Sequence, residues 1–144
     1  MSNSISIFTD GACRGNPGPG GWGVLILLEG EEITLYGGEN STTNNQMEMM
    51  AAIKALEYFR EKKSIELVTD SNYLKDGIEK WIHGWKKNGW KTSAKKPVKN
   101  QELWMKIDAL NNFHEVQWKW VKGHSGHREN EIADLLANKG IDEL

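Results

Sequence analysis

Two carboxylates carry the chemical signal of this chain. Asp10 closes the run Ile5-Ser6-Ile7-Phe8-Thr9-Asp10, and Asp70 closes Ile65-Glu66-Leu67-Val68-Thr69-Asp70. Each run is short, alternating and rich in β-formers, so each reads as a strand. Successive side chains change face along a strand, so Asp10 shares a face with Phe8, and Asp70 with Val68. If the strands are parallel neighbours, about 4.8 Å apart, both carboxylates emerge at one end and on one face. Two anions that close repel by about 1 kcal/mol in water and by several times more in a partly buried site. One cation held between them would remove that repulsion. The plainer reading is that each Asp merely closes a strand ahead of a turn.

Two further carboxylates stand out by position. Glu48 lies on a predicted helix, beside an apolar stripe and just before Ala51 and Ala52. Small alanines suit close packing on a sheet, which puts Glu48 near the sheet edge; an ordinary exposed helix glutamate is the alternative. Asp134 sits inside the last predicted helix between Ile132 and Leu135-Leu136. Asp is a poor helix former there and costly to bury. Asp10, Glu48, Asp70 and Asp134 together would carry −4, which two divalent cations would neutralise. An all-oxygen donor set selects Mg²⁺ or Mn²⁺ over zinc. His124-Ser125-Gly126-His127 has no cysteine or third histidine nearby, so it does not read as a zinc site. His124, on a glycine-flanked loop, suits proton transfer. Paired hard cations can activate water and stabilise a leaving oxygen, so the residues point to a metal-dependent nuclease.

The elements that must position these groups follow from pattern. Gly11 to Gly21 is dense in Gly and Pro and reads as a loop. Gly18-x-Gly20-x-x-Gly23 matches a dinucleotide fingerprint only formally, because a strand, Trp22–Leu28, follows it where a helix is needed. A third strand over Glu32–Gly38 completes an antiparallel meander. Residues 41–45 supply helix caps, with Gln46 and Glu48 at capping-box distance, and a helix runs on to Lys62. Its stripe is Met49, Ile53, Leu56 and either Phe59 or the stem of Arg60. The crossover to Ile65–Asp70 makes that strand parallel to the first. Helices over Tyr73–Trp81 and Gln101–Phe113 follow, the latter with Leu103, Ile107 and Leu110 inward. A fifth strand runs over Val116–Val121, and a last helix spans Arg128–Lys139 with Ile132, Leu135 and Leu136 inward.

Charge is uneven. The net charge is −2, yet Lys75 to Lys99 holds eight lysines against Asp76 and Glu79, which leaves an acidic remainder. Within it, Trp81, Trp85 and Trp90 alternate with Lys86 and Lys87. Lysines interleaved with aromatics suit a nucleic-acid backbone, though tryptophans of such a helix also serve as core. The 144 residues read as a single domain. One cysteine, no apolar run of membrane-spanning length and no signal-like leader ahead of Ile5 fit a cytoplasmic protein.

The motifs, taken in order, resemble bacterial type 1 ribonuclease H. They are Phe8-Thr9-Asp10-Gly11, Gly15-Asn16-Pro17-Gly18-Pro19-Gly20-Gly21, Thr43-Asn44-Asn45-Gln46-Met47-Glu48, Thr69-Asp70-Ser71, Trp85-Lys86-Lys87, Lys95 through Asn100, and Val121 through His124 to Asp134. The resemblance covers essentially the whole chain. It implies a ribonuclease H-like α/β fold with a five-stranded mixed sheet flanked by helices, acting as a monomer on residues 1–144. It implies cleavage of the RNA strand of an RNA–DNA hybrid, leaving 3′-hydroxyl and 5′-phosphate ends. By the same resemblance Asp10, Glu48, Asp70 and Asp134 hold two Mg²⁺ ions, with Mn²⁺ able to substitute, and His124 assists proton transfer or product departure. Cys13, Asn16, Asn44, Asn45 and Asn72 would line the hybrid's minor groove. Trp81 would rest on a DNA sugar, Thr43 and Asn100 would hold a DNA phosphate, and Trp85, Lys86 and Lys87 belong to the basic arm. Position 41 is Ser where relatives often place Arg, which implies a weaker grip on the DNA strand. Leu144 follows the last helix closely, without the longer tail of some relatives, and no hybrid-binding domain precedes Asp10. A non-catalytic hybrid-binding module, or a resolvase or integrase core of the same fold, are the rival readings.

Overall fold

The computed structural model describes residues 5–92, 94–122 and 128–144. Five strands, β1 (Ile5–Cys13), β2 (Gly18–Leu28), β3 (Glu31–Thr42), β4 (Ser64–Thr69) and β5 (Glu115–Trp120), form one sheet in the order β3-β2-β1-β4-β5. The first three are the antiparallel meander; β4 runs parallel to β1, and β5 parallel to β4. The helices are α1 (Asn44–Glu57), α2 (Asn72–Asp76), α3 (Ile82–Lys87), α4 (Gln101–Phe113) and α5 (Arg128–Asp142). A π-helical turn, Gly77–Trp81, joins α2 to α3 where one continuous helix to Trp81 is predicted. A Cβ on Gly77 would lie 2.0 Å from the Trp104 ring, so the chain passes the buried indole at a distance only glycine permits.

The core sits between one sheet face and α1 and α4. Ile7, Val24, Ile26, Met49, Ile53, Leu56, Leu67 and Ile107 are all fully or nearly fully buried there. The α1 stripe is as predicted, but the helix ends at Glu57 rather than Lys62. His114 explains the early stop. Its Nε2 donates to the Leu56 carbonyl at 3.0 Å, and its Nδ1 accepts from the Lys63 amide at 3.0 Å. One buried ring thus satisfies a helix-end carbonyl and the entry amide of β4. In α4 the buried pair is Trp104 and Ile107, with Leu103 and Leu110 only partly covered.

The opposite face carries α5, and here the sequence reading is corrected. Leu135 is 68 % exposed, and the inward face is Ala133, Ala137, Gly140 and Ile141. These small residues meet glycines of the sheet. A Cβ on Gly23 would lie 2.3 Å from the Ala133 carbonyl, and one on Gly21 would lie 2.0 Å from that of Ala137. Helix and sheet touch backbone to backbone at these glycines, and Leu135 points away. The predicted loop over Gly11–Gly21 is likewise shorter. Gly11 pairs with Trp22, Ala12 with Gly21 and Cys13 with Gly20. Ladder bonds are made by the backbone alone, and the small residues here are tolerated because α5 and α1 pack against them.

Two Gly→Ala substitutions should therefore act with opposite signs. Gly23→Ala drives a methyl into a helix carbonyl and should cost on the order of 1–3 kcal/mol or more. Gly84→Ala, inside α3 with nothing within 4 Å of the new methyl, should stabilise by about 0.5–1 kcal/mol. Urea unfolding of both variants is the check; equal signs would refute this packing.

Candidate active site

The strand register brings Asp10 and Asp70 to one level. β1 and β4 pair from Ile5 with Ile65 to Phe8 with Val68, a constant offset that continues to the two aspartates. Gly23 is the cross-strand partner of Asp10 and faces Ala133, so Asp10 shares the α5 face, where Asp134 is the next residue. Gly11 faces the other way. A Cβ there would lie 2.5 Å from the Glu48 amide nitrogen, so the first turns of α1 rest directly on β1. β4 stops at Thr69 while β1 runs on to Cys13, so beside Gly11 no strand separates the two faces. Carboxylates from both layers meet in that opening.

Asp10, Glu48 and Asp70 each offer an oxygen, all within 4.8 Å of one another. Asp10 and Glu48 are about 95 % buried, and Asp70 is half-buried. Glu48 is thus neither exposed nor at the outer edge of the sheet; it lies over the central strand. Asp134 is half-buried rather than enclosed by its apolar neighbours, and it stands outside the trio. It lies beside Asp10, close enough to raise that carboxyl. Asp10 is accordingly pushed up to about 8, first by burial, then by the Asp70 charge and by Asp134; only the Gly11 amide opposes this. Glu48 is raised well above the usual carboxylate range by burial, then by Asp10 and Asp70, again opposed by the Gly11 amide. The Glu48 Oε1 atom is buried with no hydrogen-bond partner among the described residues. An unpartnered buried carboxylate oxygen and three converging carboxylates, joined by no nitrogen or sulfur donor among the described residues, fit a hard divalent cation.

The other predicted residues fall around this opening. Asn16 accepts through Oδ1 from the Asn44 amide at 3.2 Å, joining the β1–β2 turn to the start of α1. Cys13 donates to the carbonyls of Gly15 and Thr42 at 2.7 and 3.4 Å. Thr43 caps α1, accepting from the Gln46 amide at 3.2 Å, while the Gln46 side chain turns away to Asn100 rather than closing a capping box. Asn45 and Asn72 are exposed at the starts of α1 and α2, and Ser41 is exposed just before the cap. Trp81 and Trp85 lie 5.8 Å apart by ring centroids and pack with Trp104, so the tryptophans build the base of the arm. Lys87 is exposed, whereas Lys86 pairs with Asp108 at 3.3 Å. His124 lies outside the described residues.

Three contributors escaped the sequence reading. Gly11 and Gly23 matter through what they lack, which no pattern of chemical groups reveals. Asn130 lines a small cavity with Thr9, Asp10 and Asp70. Its spacing from Asp134, i and i+4 on one helix face, is the signal that could have found it.

The raised carboxyl of Asp10 gives a pH signature without metal. Its unfolded value is near 3.8 and its folded value about 8. Between them the folded chain holds a proton that the unfolded chain has lost, so metal-free stability falls as pH rises through that window. Asp10→Asn should remove much of this slope. By thermal melting in chelator, the variant should melt above the wild type at pH 8, and the gap should close toward pH 4. A wild type equally stable at both pH values would count against the crowded site.

Comparison with known proteins is consistent with this arrangement. The RNase H family model matches residues 2–142. The chain is 58 % identical over 144 residues to ribonuclease H of Pseudomonas fluorescens, covering all of this chain and 96 % of that one. It is 61 % identical over 141 residues to ribonuclease H of Mesorhizobium japonicum, covering 98 % and 80 %. Among solved structures it superposes on LC9-RNase H1, a type 1 RNase H, with a TM-score of 0.87 at 32 % identity, covering 99 % and 74 %. It also superposes on LC11-RNase H1 in complex with an RNA/DNA hybrid, with a TM-score of 0.72 at 28 % identity, covering 97 % and 98 %. The chain belongs to the ribonuclease H family of metal-dependent endoribonucleases.

Proposed function

We propose that residues 1–144 form a single catalytic domain that hydrolyses the RNA strand of RNA–DNA hybrids, leaving 3′-hydroxyl and 5′-phosphate ends. The observation that carries the reading is the approach of Asp10, Glu48 and Asp70 within 4.8 Å, in a chain that holds eight of its 18 Lys and Arg residues between Lys75 and Lys99. In this reading Asp10, Glu48, Asp70 and Asp134 hold two Mg²⁺ ions when substrate is bound, with Mn²⁺ able to substitute. The ions supply water activation and charge stabilisation at the leaving oxygen.

The protein's own groups do the remainder. The buried carboxylates fix where charge can be accepted, and the Gly11 amide holds Asp10 and Glu48 in place. His124 moves a proton or helps product leave. Cys13, Asn16, Asn44, Asn45 and Asn72 read the minor groove, where 2′-hydroxyls distinguish the RNA strand. Thr43 and Asn100 hold a phosphate of the DNA strand, Trp81 supports its sugar, and Trp85, Lys86 and Lys87 anchor and present the arm. The protein acts as a cytoplasmic monomer; no helix among the described residues is long and apolar enough to cross a membrane.

The decisive experiment is incubation with labelled RNA–DNA hybrid, with and without Mg²⁺. RNA in the hybrid should be cut only with metal, and duplex DNA and single-stranded RNA should be spared. Asp70→Asn should lose at least about 10²-fold in kcat while hybrid binding survives. Near-wild-type turnover in that variant would remove Asp70 from the reaction.

The arm makes a second prediction. Each lysine that neutralises a phosphate contributes about one unit to the slope of log affinity against log salt. Lys86 already faces Asp108, so Lys86→Ala should change the slope less than Lys87→Ala, which should flatten it by about one unit. Equal changes from the two would mean that Lys86 leaves Asp108 when substrate binds.

A further inference from the structure

We infer that Gln46 is a positioning residue for Asn100: it binds the oxygen end of the Asn100 amide and leaves an N–H for a phosphate of the DNA strand. The inference rests on the phosphate-holding role proposed for Thr43 and Asn100, and it concerns a side chain that role does not use.

Gln46 touches both phosphate-holding groups at once. Its backbone amide donates to Thr43 Oγ1 at 3.2 Å, and its Nε2 donates to Asn100 Oδ1 at 3.0 Å. Each bond takes up an acceptor and leaves a donor. A hydroxyl that accepts still has its proton to give, and an amide whose oxygen is engaged keeps its NH₂ group. One N–H of Asn100 goes to the Tyr73 hydroxyl at 3.1 Å, which leaves the second. A phosphate in a backbone offers only acceptors, so it is held by donors and repelled by an amide oxygen. A free asparagine can present either end of its amide; this one has its oxygen end already bound.

The arrangement is held from both sides. Gln46 is the third residue of α1, where its side chain could bond back to the cap at Thr43. It forgoes that bond and reaches Asn100 on a distant segment instead. The other end of its amide is occupied too: Oε1 accepts from Oγ1 of the buried Thr42 at 2.9 Å. Beyond Asn100, the Tyr73 oxygen also accepts at 3.3 Å from Nε1 of Trp104, a fully buried indole that can only donate. The amide pair is nonetheless reachable from solvent, because Gln46 and Asn100 line an open cavity of about 390 Å³. The exposed Glu102 borders the same cavity. An amide oxygen turned outward there would add to a field already unfavourable to an anion.

The test uses two variants. Gln46→Met keeps a helix-forming chain of similar length and removes only the side-chain bonds. Asn100→Gly removes the amide and suits the left-handed backbone at φ 59°. kcat and KM on hybrid are read for each single variant and for the double variant, with melting curves to establish that each is folded at the assay temperature. Asn100→Gly should raise KM by about 10-fold or more, the loss of a hydrogen bond to a charged group. Gln46→Met should raise KM by about 3- to 10-fold, with kcat within about threefold of wild type. In the double variant Gln46→Met should add nothing further, because its effect passes through Asn100. A glutamine that only supports the fold gives another pattern: Gln46→Met melts lower with KM unchanged, or raises KM by the same factor with and without Asn100. Either result overturns the inference. An unchanged KM in Asn100→Gly removes the phosphate role of Asn100 itself, and this inference falls with it.

Discussion

The crowding of like charge at the end of β1 is the constraint on which the remaining architecture depends. Burying one carboxylate is costly; placing two more within 4.8 Å compounds the cost. Without a cation the site lowers its charge by holding protons, which is why Asp10 is pushed up to about 8 and Glu48 is raised well above its usual range. Such a site persists only if the surrounding structure is stiff enough to prevent the carboxylates from swinging into solvent. Native stability of a domain this size is a small difference between large terms, so the stiffness has to come from packing that is cheap elsewhere.

Glycine and alanine supply it. Asp10 and Gly11 face opposite layers, one toward α5 and the other toward α1, and both layers come to within backbone contact of the sheet. At Gly11 and Gly23 any side chain would push a helix outward by at least part of the overlap that a Cβ would create. Glu48 or Asp134 would be carried away with it. The small-residue face of α5 is therefore what sets the reach of Asp134, and the exposure of Leu135 is a consequence of that choice. A large apolar residue cannot take the places of Ala133 and Ala137, which approach the glycines this closely. The hydrophobic core is built on the other side of the sheet, where α1 and α4 cover Ile7, Ile26 and Leu67 at ordinary side-chain distances.

This division explains what was legible in the sequence. The twin Thr-Asp phrases gave the parallel pair and its register, because strand alternation and crossover handedness are local rules with few exceptions. The five strands and the mixed topology followed from the same rules. What failed was the assignment of inward faces by hydropathy. It named Leu135 in α5 and passed over Trp104 in α4, since a rule that ranks residues by apolarity misses helices seated on glycines and a tryptophan stacked over Gly77. The end of α1 was also missed, because it is set by His114, far along the chain. The meeting of Asp10, Glu48 and Asp70 was legible because carboxylates are rare in such positions. Gly11, Gly23 and Asn130 were not, because their part is space or a helical phase that only the packed structure defines.

One chain of hydrogen bonds ties the helix that carries Glu48 to the base of the lysine-rich segment. Thr42 Oγ1 donates to Gln46 Oε1, Gln46 Nε2 to Asn100 Oδ1, and Asn100 Nδ2 to the Tyr73 hydroxyl, which also accepts from Trp104 Nε1. The bonds run from the start of α1, one turn before Glu48, to the aromatic cluster under Trp81 and Trp85. Each is worth only about 0.5–1.5 kcal/mol net, so their value to stability is modest. Their geometric value is larger. Gln46 and Asn100 are planar amides with fixed donor and acceptor directions, and Asn100 is held in a left-handed conformation at φ 59°. A shift of the arm's base would break bonds whose other end is the helix carrying Glu48. The distance between the carboxylates and the base of the lysine-rich segment is thus fixed by these bonds.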